Sequence, residues 1–235
     1  MSPAPRISIF SALLLLIASV PLIAQTNVES QVKITEAPLP TPPPESGTRS
    51  GASGGISGGS LIQIGGLDPD GKTVREALIL SLTGETNGRT SSWKKEPLNE
   101  GRAWGATAQH GNEVIIAGGL IDGAPSSKVT AVTWDGNHLV FRDLPSLPSP
   151  LLGAGAGMIG DKVYVVGGVT SASSKEPLRN VLSLDLAAPN SSWKELPPLP
   201  GSGKVLPMVT GQYDLLEVIG GRISDGKGAF IASKD

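Results

Sequence analysis

The sequence predicts an all-β fold built from repeats of about 50 residues. A short apolar run ends in a pair of glycines at four places along the 235-residue chain. An aromatic residue and a Leu/Pro-rich segment follow the first three of these pairs. The chain also contains 31 glycines and 20 prolines, a composition that favours turns over helices.

The four glycine pairs set the length of the repeat. The runs are LIQIGG, VIIAGG, VYVVGG and LEVIGG, which end at Gly66, Gly119, Gly168 and Gly221. These positions are 53, 49 and 53 residues apart. A period near 50 is typical of kelch repeats, in which each repeat forms one four-stranded blade of a β-propeller. We therefore predict a kelch-type β-propeller with an incomplete ring of about four blades, of which the fourth lacks its closing strands.

Each repeat predicts the same strands in the same order. The apolar run is an inner strand, since a strand covered on both faces is apolar throughout. The glycine pair ends this strand where the chain turns sharply, and glycine adopts positive φ without strain. The segments EALILSL, KVTAVTW and NVLSLDL predict the next strand. The aromatic residue, which is Trp93, Phe141 or Trp193, is expected to fill the space between blades.

The N-terminal region predicts export. Residues 1–24 have the features of a secretory signal peptide, with Arg6 before an apolar run that ends at Ala24. Pro21 and the modest length of the run disfavour the alternative, an uncleaved membrane anchor. Residues 25–58 are rich in Pro, then in Gly and Ser, and predict a linker, although its last residues can already include a strand. The propeller is predicted over residues 59–235, in the periplasm or secreted.

The composition excludes several classes of function. The net charge of −2 does not indicate the basic surface that nucleic-acid binding requires. The absence of cysteine excludes disulfides and thiolate metal sites, and two histidines make a multi-histidine metal site unexpected. We expect no metal and no cofactor, and no membrane span once the signal peptide is removed.

Several stretches resemble the kelch-type sialic acid (N-acetylneuraminate) mutarotases, and in particular their cyclically permuted branch. They are GRAWGATAQHGNEVIIAGG, the segment from KVTAVTW across FRDLPSLP to VYVVGG, and VLSLDLAAPNSSWKELPPLPG. The resemblance covers roughly residues 50–230. It implies a six-bladed, periplasmic or secreted propeller that interconverts the anomers of N-acetylneuraminic acid without a cofactor.

The chain departs from this family in length. It has about four of the six blades, and the family's catalytic Glu and Arg pair falls in the absent ones. No catalytic residue can therefore be assigned, and an isomerase activity rests on resemblance alone. We expect a truncated copy of a longer protein. The alternative is a homodimer in which two arcs close one ring.

Three cations are candidate substrate-binding residues, because the resemblance implies a sugar-acid substrate whose carboxylate a cation can hold. Arg102, in GRAWG, lies 16 residues before its glycine pair, on a connection expected to reach the axis. It could instead tie neighbouring blades together. Lys204, at the corresponding position of a later repeat, could instead be a solvated lysine. Arg222 follows the last glycine pair and could instead lie on the surface.

Other motifs favour structural roles. Asp122, Asp225 and Glu76 follow glycine pairs and could act as general bases, although solvated loop carboxylates are expected. The segment DPDGK, from Asp68, resembles a calcium loop but lacks its downstream Glu, so it predicts a turn. Asn190 begins an NSS glycosylation acceptor.

Two other functions remain open from the sequence. Kelch blades also serve as non-catalytic modules that bind a glycan or a protein partner through the same funnel, and fold does not decide between these uses. The third reading is an inactive remnant of a larger propeller.

Overall fold

The structure is a computed structural model that describes residues 40–82 and 92–233. The chain divides into Met1–Pro38, which lies outside the described residues, and Leu39–Asp235. The predicted signal peptide and most of the predicted linker therefore lie outside the described part of the chain. Apart from one 3₁₀ turn at Pro44–Ser46, the regular structure of the described ranges is all β-strand, as predicted.

The strands recur with the repeat. The first repeat contains β1 (Ser53–Ser57), β2 (Ser60–Ile64), β3 (Glu76–Ser81) and β4 (Trp93–Pro97). The second contains β5 (Arg102–Ala103), β6 (Ala106–His110), β7 (Glu113–Ala117), β8 (Leu120–Ile121), β9 (Ala124–Pro125), β10 (Val129–Trp134) and β11 (Leu139–Leu144). The third contains β12 (Gly155–Ile159), β13 (Lys162–Val166), β14 (Val181–Asp185) and β15 (Lys194–Leu196). The last contains β16 (Met208–Gln212), β17 (Leu215–Ile219), β18 (Arg222–Ser224) and β19 (Phe230–Ala232).

Three repeats form complete antiparallel blades. The strand orders are β1-β2-β3-β4 in blade 1, β6-β7-β10-β11 in blade 2 and β12-β13-β14-β15 in blade 3. In the fourth repeat only β16 and β17 pair as blade strands, and the hairpin β18-β19 follows the last glycine pair. The prediction of three blades and an incomplete fourth is confirmed for the described residues.

The hydrophobic core lies between the blades. Successive residues of β7 show the principle: Val114 and Ile116 pack toward blade 1, whereas Ile115 and Ala117 pack toward blade 3. Both faces of the strand are buried, which explains why it is apolar at every position. The core between blades 1 and 2 consists of Ile62, Ile64, Ala77, Ile79, Val114, Ile116, Val132, Trp134 and Leu139.

The aromatic positions follow the prediction only in part. Trp193 packs against the core between blades 2 and 3, and its Nε1–H donates to the Pro145 carbonyl at 2.7 Å. Phe141 stands opposite Val132 in the outermost strand of blade 2 but is 42% exposed, so its predicted core role is wrong. The buried Trp134 fills the space between blades 1 and 2 instead, which leaves Phe141 at the rim.

The propeller begins before residue 59. Strand β1 lies inside the predicted linker, and Ser50 already pairs with Leu67. The Gly/Ser composition has a packing cause here, because a Cβ on Gly55 would come within 2.6 Å of the Val114 side chain in blade 2. A crowded inner strand and a flexible linker therefore share one composition, and only packing distinguishes them.

The first three glycine pairs each join their blade to the next one. The N–H of the second glycine donates to a carbonyl that immediately precedes the following blade: Gly66 to Arg102, Gly119 to Leu151 and Gly168 to Lys204, at 2.7, 2.7 and 2.8 Å. The first glycine faces the same carbonyl, so that a Cβ on Gly118 would lie 2.6 Å from the Leu151 oxygen. The pairs are glycine because a side chain would overlap the next blade and because φ is positive.

A chain of hydrogen bonds links the repeats on one face. Trp104 N–H donates to the Gly51 carbonyl at 2.7 Å, Gly153 to Trp104 at 3.0 Å, and Leu206 to Gly153 at 2.6 Å. These four residues are spaced like the glycine pairs, and all have φ between 54° and 64°. Two of them, Trp104 and Leu206, adopt this left-handed conformation without being glycine, at a cost of about 1–2 kcal/mol each.

Candidate functional site

A cavity of about 340 Å³ opens on the face where these hydrogen-bonded residues meet. Its walls include one residue from directly after each glycine pair. These are Leu67, Leu120, Val169 and Arg222, joined by Trp104 and Phe230. Because every described repeat contributes to this wall, the cavity lies where the blades converge, and we call it the axial cavity.

The glycine pairs place these residues. After each pair the chain turns and forms a short antiparallel contact with the segment that leads into the same blade. Leu152 pairs with Val169 in this way, and Val205 pairs with Arg222. Both main-chain hydrogen bonds between Val205 and Arg222 are present, at 2.7 and 2.8 Å, so the backbone of Arg222 is fixed at the cavity wall.

Arg222 gives the axial cavity its charge. It is the one ionisable side chain among the described residues of the wall, which is otherwise largely aliphatic and aromatic. Its side chain is exposed, and no described carboxylate forms an ion pair with it. A guanidinium beside apolar walls suits a ligand with a carboxylate and an apolar face.

Trp104 is the site residue that the sequence analysis missed. It lies in the same GRAWG segment as Arg102, but its ring lies against Gly51 at the cavity, with carbon atoms 2.8 Å from where a Cβ on Gly51 would be. A tryptophan in the left-handed conformation stores strain, which is characteristic of functional positions. In the sequence, the feature that could have indicated this site is the single large residue Trp104 between the small residues Ala103 and Gly105.

Arg102 lies elsewhere. Its side chain is 4% exposed, forms an ion pair with Glu100, and donates from Nη2 to Thr130 Oγ1 on β10 at 3.0 Å. Lys128 approaches the same Glu100 carboxylate at 3.3 Å. Arg102 does not line the axial cavity but borders a smaller one of about 150 Å³ at the rim, beside Phe141. Its contacts are those of a residue that ties blades 1 and 2.

Lys204 is buried as well. Its side chain is 6% exposed and its Nζ donates to Ser233 Oγ at 2.7 Å, while its carbonyl accepts the N–H of Gly168. It is therefore not the solvated lysine considered as an alternative, and it is not part of the described axial wall. The tertiary structure brings only Arg222 of the three predicted cations to the axial cavity.

The three candidate carboxylates have structural partners. Glu76 forms an ion pair with Arg49, and Asp122 forms one with Arg75 at 2.9 Å. Asp225 accepts the N–H of Ala229 and of Lys227 within the β18-β19 turn, and these hydrogen bonds lower its pKa. None of the three lines the axial cavity, so the described wall contains no general base.

The remaining motifs from the sequence have structural roles or show no binding site in the described residues. Asp68 Oδ1 accepts the N–H of Lys72 at 2.8 Å, which confirms the predicted turn. In the described ranges no three His, Asp or Glu side chains are grouped to hold a metal ion. Asn190 is exposed. No helix of residues 40–82 and 92–233 is long and apolar enough to cross a membrane.

The Arg102–Glu100 pair predicts a pH-dependent stability. Burial opposes ionisation of Glu100, but Arg102 and Lys128 together outweigh it and lower the pKa of this carboxyl. The stabilisation is therefore present above the unfolded pKa of about 4.3 and is lost as pH falls through the lower folded value. We expect the stability advantage of the wild type over Glu100→Gln to be constant from pH 6 to 8 and to shrink below about pH 4. Urea unfolding at each pH measures it, and an advantage that persists unchanged at pH 3 contradicts this account.

Known proteins share the motif and the fold. The kelch motif matches residues 150–200, which span blade 3. Kelch-like protein 40 of Mus musculus is 34% identical over 122 residues, which are 49% of this chain but only 19% of that protein. A solved structure entitled "Structure of YjhT" matches with a TM-score of 0.62 over 79% of this chain and 66% of that chain, at 16% identity, so the likeness concerns the fold. The motif, the three complete blades and the shared fold identify the chain as a kelch-repeat β-propeller.

Proposed function

We propose that this chain binds N-acetylneuraminic acid in the axial cavity, as the ligand-binding part of a sialic acid mutarotase propeller. The observation that carries the proposal is Arg222, a guanidinium without a described ion-pair partner at the wall of a cavity on the propeller axis. The resemblance of GRAWG and the following segments to the mutarotases supports the choice of substrate.

The chemistry of the substrate fits this wall. Arg222 can hold the carboxylate with two parallel hydrogen bonds. Trp104 and Phe230 offer apolar surface to the acetamido methyl group and to the C–H face of the pyranose ring. Leu120 and Val169 complete an apolar side that excludes water from the carboxylate, which strengthens its pairing with the guanidinium.

Anomer exchange also requires an acid and a base beside the sugar, in addition to the binding residues of this wall. When the ring opens, the bond between the anomeric carbon and the ring oxygen breaks, an acid protonates that oxygen, and a base removes the anomeric hydroxyl proton. No acid or base lies on the described wall, and Arg222 is suited to positioning. The proposal therefore assigns binding to this chain and catalysis to a ring completed by further blades.

Ligand-observed NMR on the full chain tests the proposal. With N-acetylneuraminic acid we expect saturation transfer to the acetamido methyl protons, because these lie against Trp104 and Phe230. Arg222→Gln removes a charge-assisted pair worth about 1.5–3 kcal/mol, so we expect binding to weaken about 10- to 100-fold. Arg142→Gln is the matched control, since Arg142 pairs with Glu113 on blade 2, away from the cavity.

Two further outcomes decide the proposal. The methyl ester of N-acetylneuraminic acid should bind as weakly as the free acid binds to the Arg222→Gln variant. Equal binding of ester and acid, or no saturation transfer at all, rejects the assignment of the carboxylate to Arg222.

A non-catalytic binding module is the second candidate function. Kelch blades serve both as parts of enzymes and as binding modules, and the fold does not decide between these uses. The two candidates differ in a chain extended by two mutarotase blades: anomer exchange faster than the spontaneous rate supports the mutarotase, and an unchanged rate supports the binding module.

Export is also proposed. The signal-like residues 1–24 support it. The intact mass of the protein isolated from its source tests it, because cleavage after Ala24 removes the mass of these residues, and a retained N-terminus rejects it.

A further inference from the structure

The smaller cavity that Arg102 borders lies at the rim, and we call it the rim cavity. Its volume is about 150 Å³. The walls come from the segment that leaves blade 1 and from blade 2, and they are Leu98, Asn99, Glu100, Arg102, Lys128 and Phe141. Among the described residues it shares no lining side chain with the axial cavity, so the two are separate sites.

Arg102 has hydrogen-bond donors that the described residues do not use. Its Nε and Nη2 donate to Glu100, and Nη2 also donates to Thr130 Oγ1. Its Nη1 is buried and has no hydrogen-bond partner among the described residues. A guanidinium has five N–H donors, so the two on Nη1 are left over. A buried charged donor without a partner is costly, and it indicates that a bound group is missing.

The charge at the rim cavity is positive. Arg102 and Lys128 are two cations, and Glu100 is the one carboxylate among the described lining residues. Both cations contact the same oxygen of Glu100, Lys128 at 3.3 Å. Burial opposes ionisation of Glu100, yet the two cations lower its pKa, so they dominate the local potential. Asp143 approaches Lys128 at 3.7 Å, but its side chain is 72% exposed and water screens its charge. The remaining positive charge favours an anionic ligand.

The size of the rim cavity and its apolar side determine which anion fits. Leu98 and the exposed ring of Phe141 form the apolar side. A cavity of this volume holds a ligand about as large as benzene. An inorganic anion would leave the apolar side without a contact, and N-acetylneuraminic acid is too large. A carboxylate with a short alkyl chain, such as butyrate, has both the required size and the required charge.

We propose that the rim cavity binds a short-chain aliphatic carboxylate. The carboxylate accepts hydrogen bonds from Nη1 of Arg102 and from Nζ of Lys128, whose ammonium group has three donors. The alkyl chain lies against Leu98 and Phe141. Because the walls come from the segment that leaves blade 1 and from blade 2, the bound ligand also stabilises the folded protein.

Titration of the full chain with butyrate, followed by the chemical shifts of its amides, tests the proposal. The control ligand is butyramide, which has nearly the same shape but no charge, and the sodium concentration is held constant. We expect saturable shifts at the amides of the charged and aromatic lining residues, which are Glu100, Arg102, Lys128 and Phe141. The Kd should be at least about tenfold lower for butyrate than for butyramide. Equal binding of the two ligands overturns the proposal.

Two variants separate the charged side of the cavity from its apolar side. Lys128→Gln removes a cationic donor, so butyrate should bind about tenfold more weakly. Lys95→Gln is the matched control, because Lys95 also lies between two carboxylates, Glu45 at 3.3 Å and Glu76 at 3.8 Å, but does not line the rim cavity. It should leave butyrate binding unchanged. Phe141→Ala should weaken butyrate at least about fivefold but acetate less than about twofold, since acetate has no alkyl chain to lie on the ring.

Two further outcomes would reject this site. Equal weakening by Lys128→Gln and Lys95→Gln would mean that butyrate responds only to the net charge of the protein. Shifts at the amides of Trp104 and Arg222 instead of those at the rim would place the carboxylate in the axial cavity. Thermal unfolding gives an independent readout: butyrate should raise the Tm of the wild type more than that of Lys128→Gln, and an equal rise in both proteins contradicts the proposal.

Discussion

Gly167→Ala is expected to destabilise the protein by about 3–5 kcal/mol, whereas Gly220→Ala should cost about 1–2 kcal/mol. Both glycines are the first of their pair, with φ of 70° and 61°. A Cβ on Gly167 would overlap the Lys204 carbonyl oxygen that leads into the next blade, but a Cβ on Gly220 would have no atom within 4 Å. Both substitutions therefore carry the free-energy cost of placing alanine at positive φ, but only Gly167→Ala also places a Cβ against the next blade.

Urea unfolding of the two variants measures this difference. Gly118→Ala should resemble Gly167→Ala, since its Cβ would lie 2.6 Å from the Leu151 oxygen. Equal losses at Gly167 and Gly220 would mean that positive φ alone explains the glycine pairs, and would contradict the role of the pair as the contact between blades.

Arg102→Met should cost about 1–3 kcal/mol of stability, because it removes a buried guanidinium, leaves the partly exposed Glu100 with Lys128 alone and leaves Thr130 Oγ1 without its donor. Arg222→Met should change stability by less than about 0.5 kcal/mol, since its guanidinium is exposed and has no described ion-pair partner. For ligand binding the order reverses. Arg222→Met should bind N-acetylneuraminic acid about 10- to 100-fold more weakly, while the folded fraction of Arg102→Met should bind it as the wild type does.

The paired measurements are urea midpoints and saturation transfer on the same protein samples. A stable Arg102→Met variant that fails to bind the ligand would show that Arg102 is a binding residue after all. A destabilised Arg222→Met variant would show that this arginine supports the last hairpin rather than a ligand.

The sequence predicted the blades because their signals are local. An apolar strand with both faces covered, a glycine pair at positive φ and a following apolar strand each leave a pattern within a few residues, and the interval of the repeat multiplies that pattern. The start of the propeller was misplaced for the same reason, because a Gly/Ser-rich segment is also typical of a linker and only the contact of Gly55 with Val114 of blade 2 shows that it is a packed strand. The sequence also misplaced Phe141, since the neighbouring Trp134 competes for the same space between blades.

The site was predicted less completely. Arg222 could be named because it directly follows a glycine pair, where the chain turns toward the axis. Arg102 and Trp104 are two residues apart, yet one points to Thr130 at the rim and the other lines the axial cavity. Nothing within GRAWG distinguishes these directions, because they depend on the left-handed conformation of Trp104 and on the carbonyl that accepts its N–H in the preceding repeat.

The sequence by itself determined the all-β class and the repeat of about 50 residues. These follow from which residues tolerate burial on both faces and which tolerate positive φ, and both are properties of single residues and their near neighbours. Only the tertiary structure decided that Arg222 and Trp104 meet at one cavity and that Arg102 and Lys204 are buried elsewhere. Each of these depends on contacts between residues far apart in the sequence, such as Arg102 with Thr130 and Lys204 with Ser233, and such contacts exist only once the blades have packed.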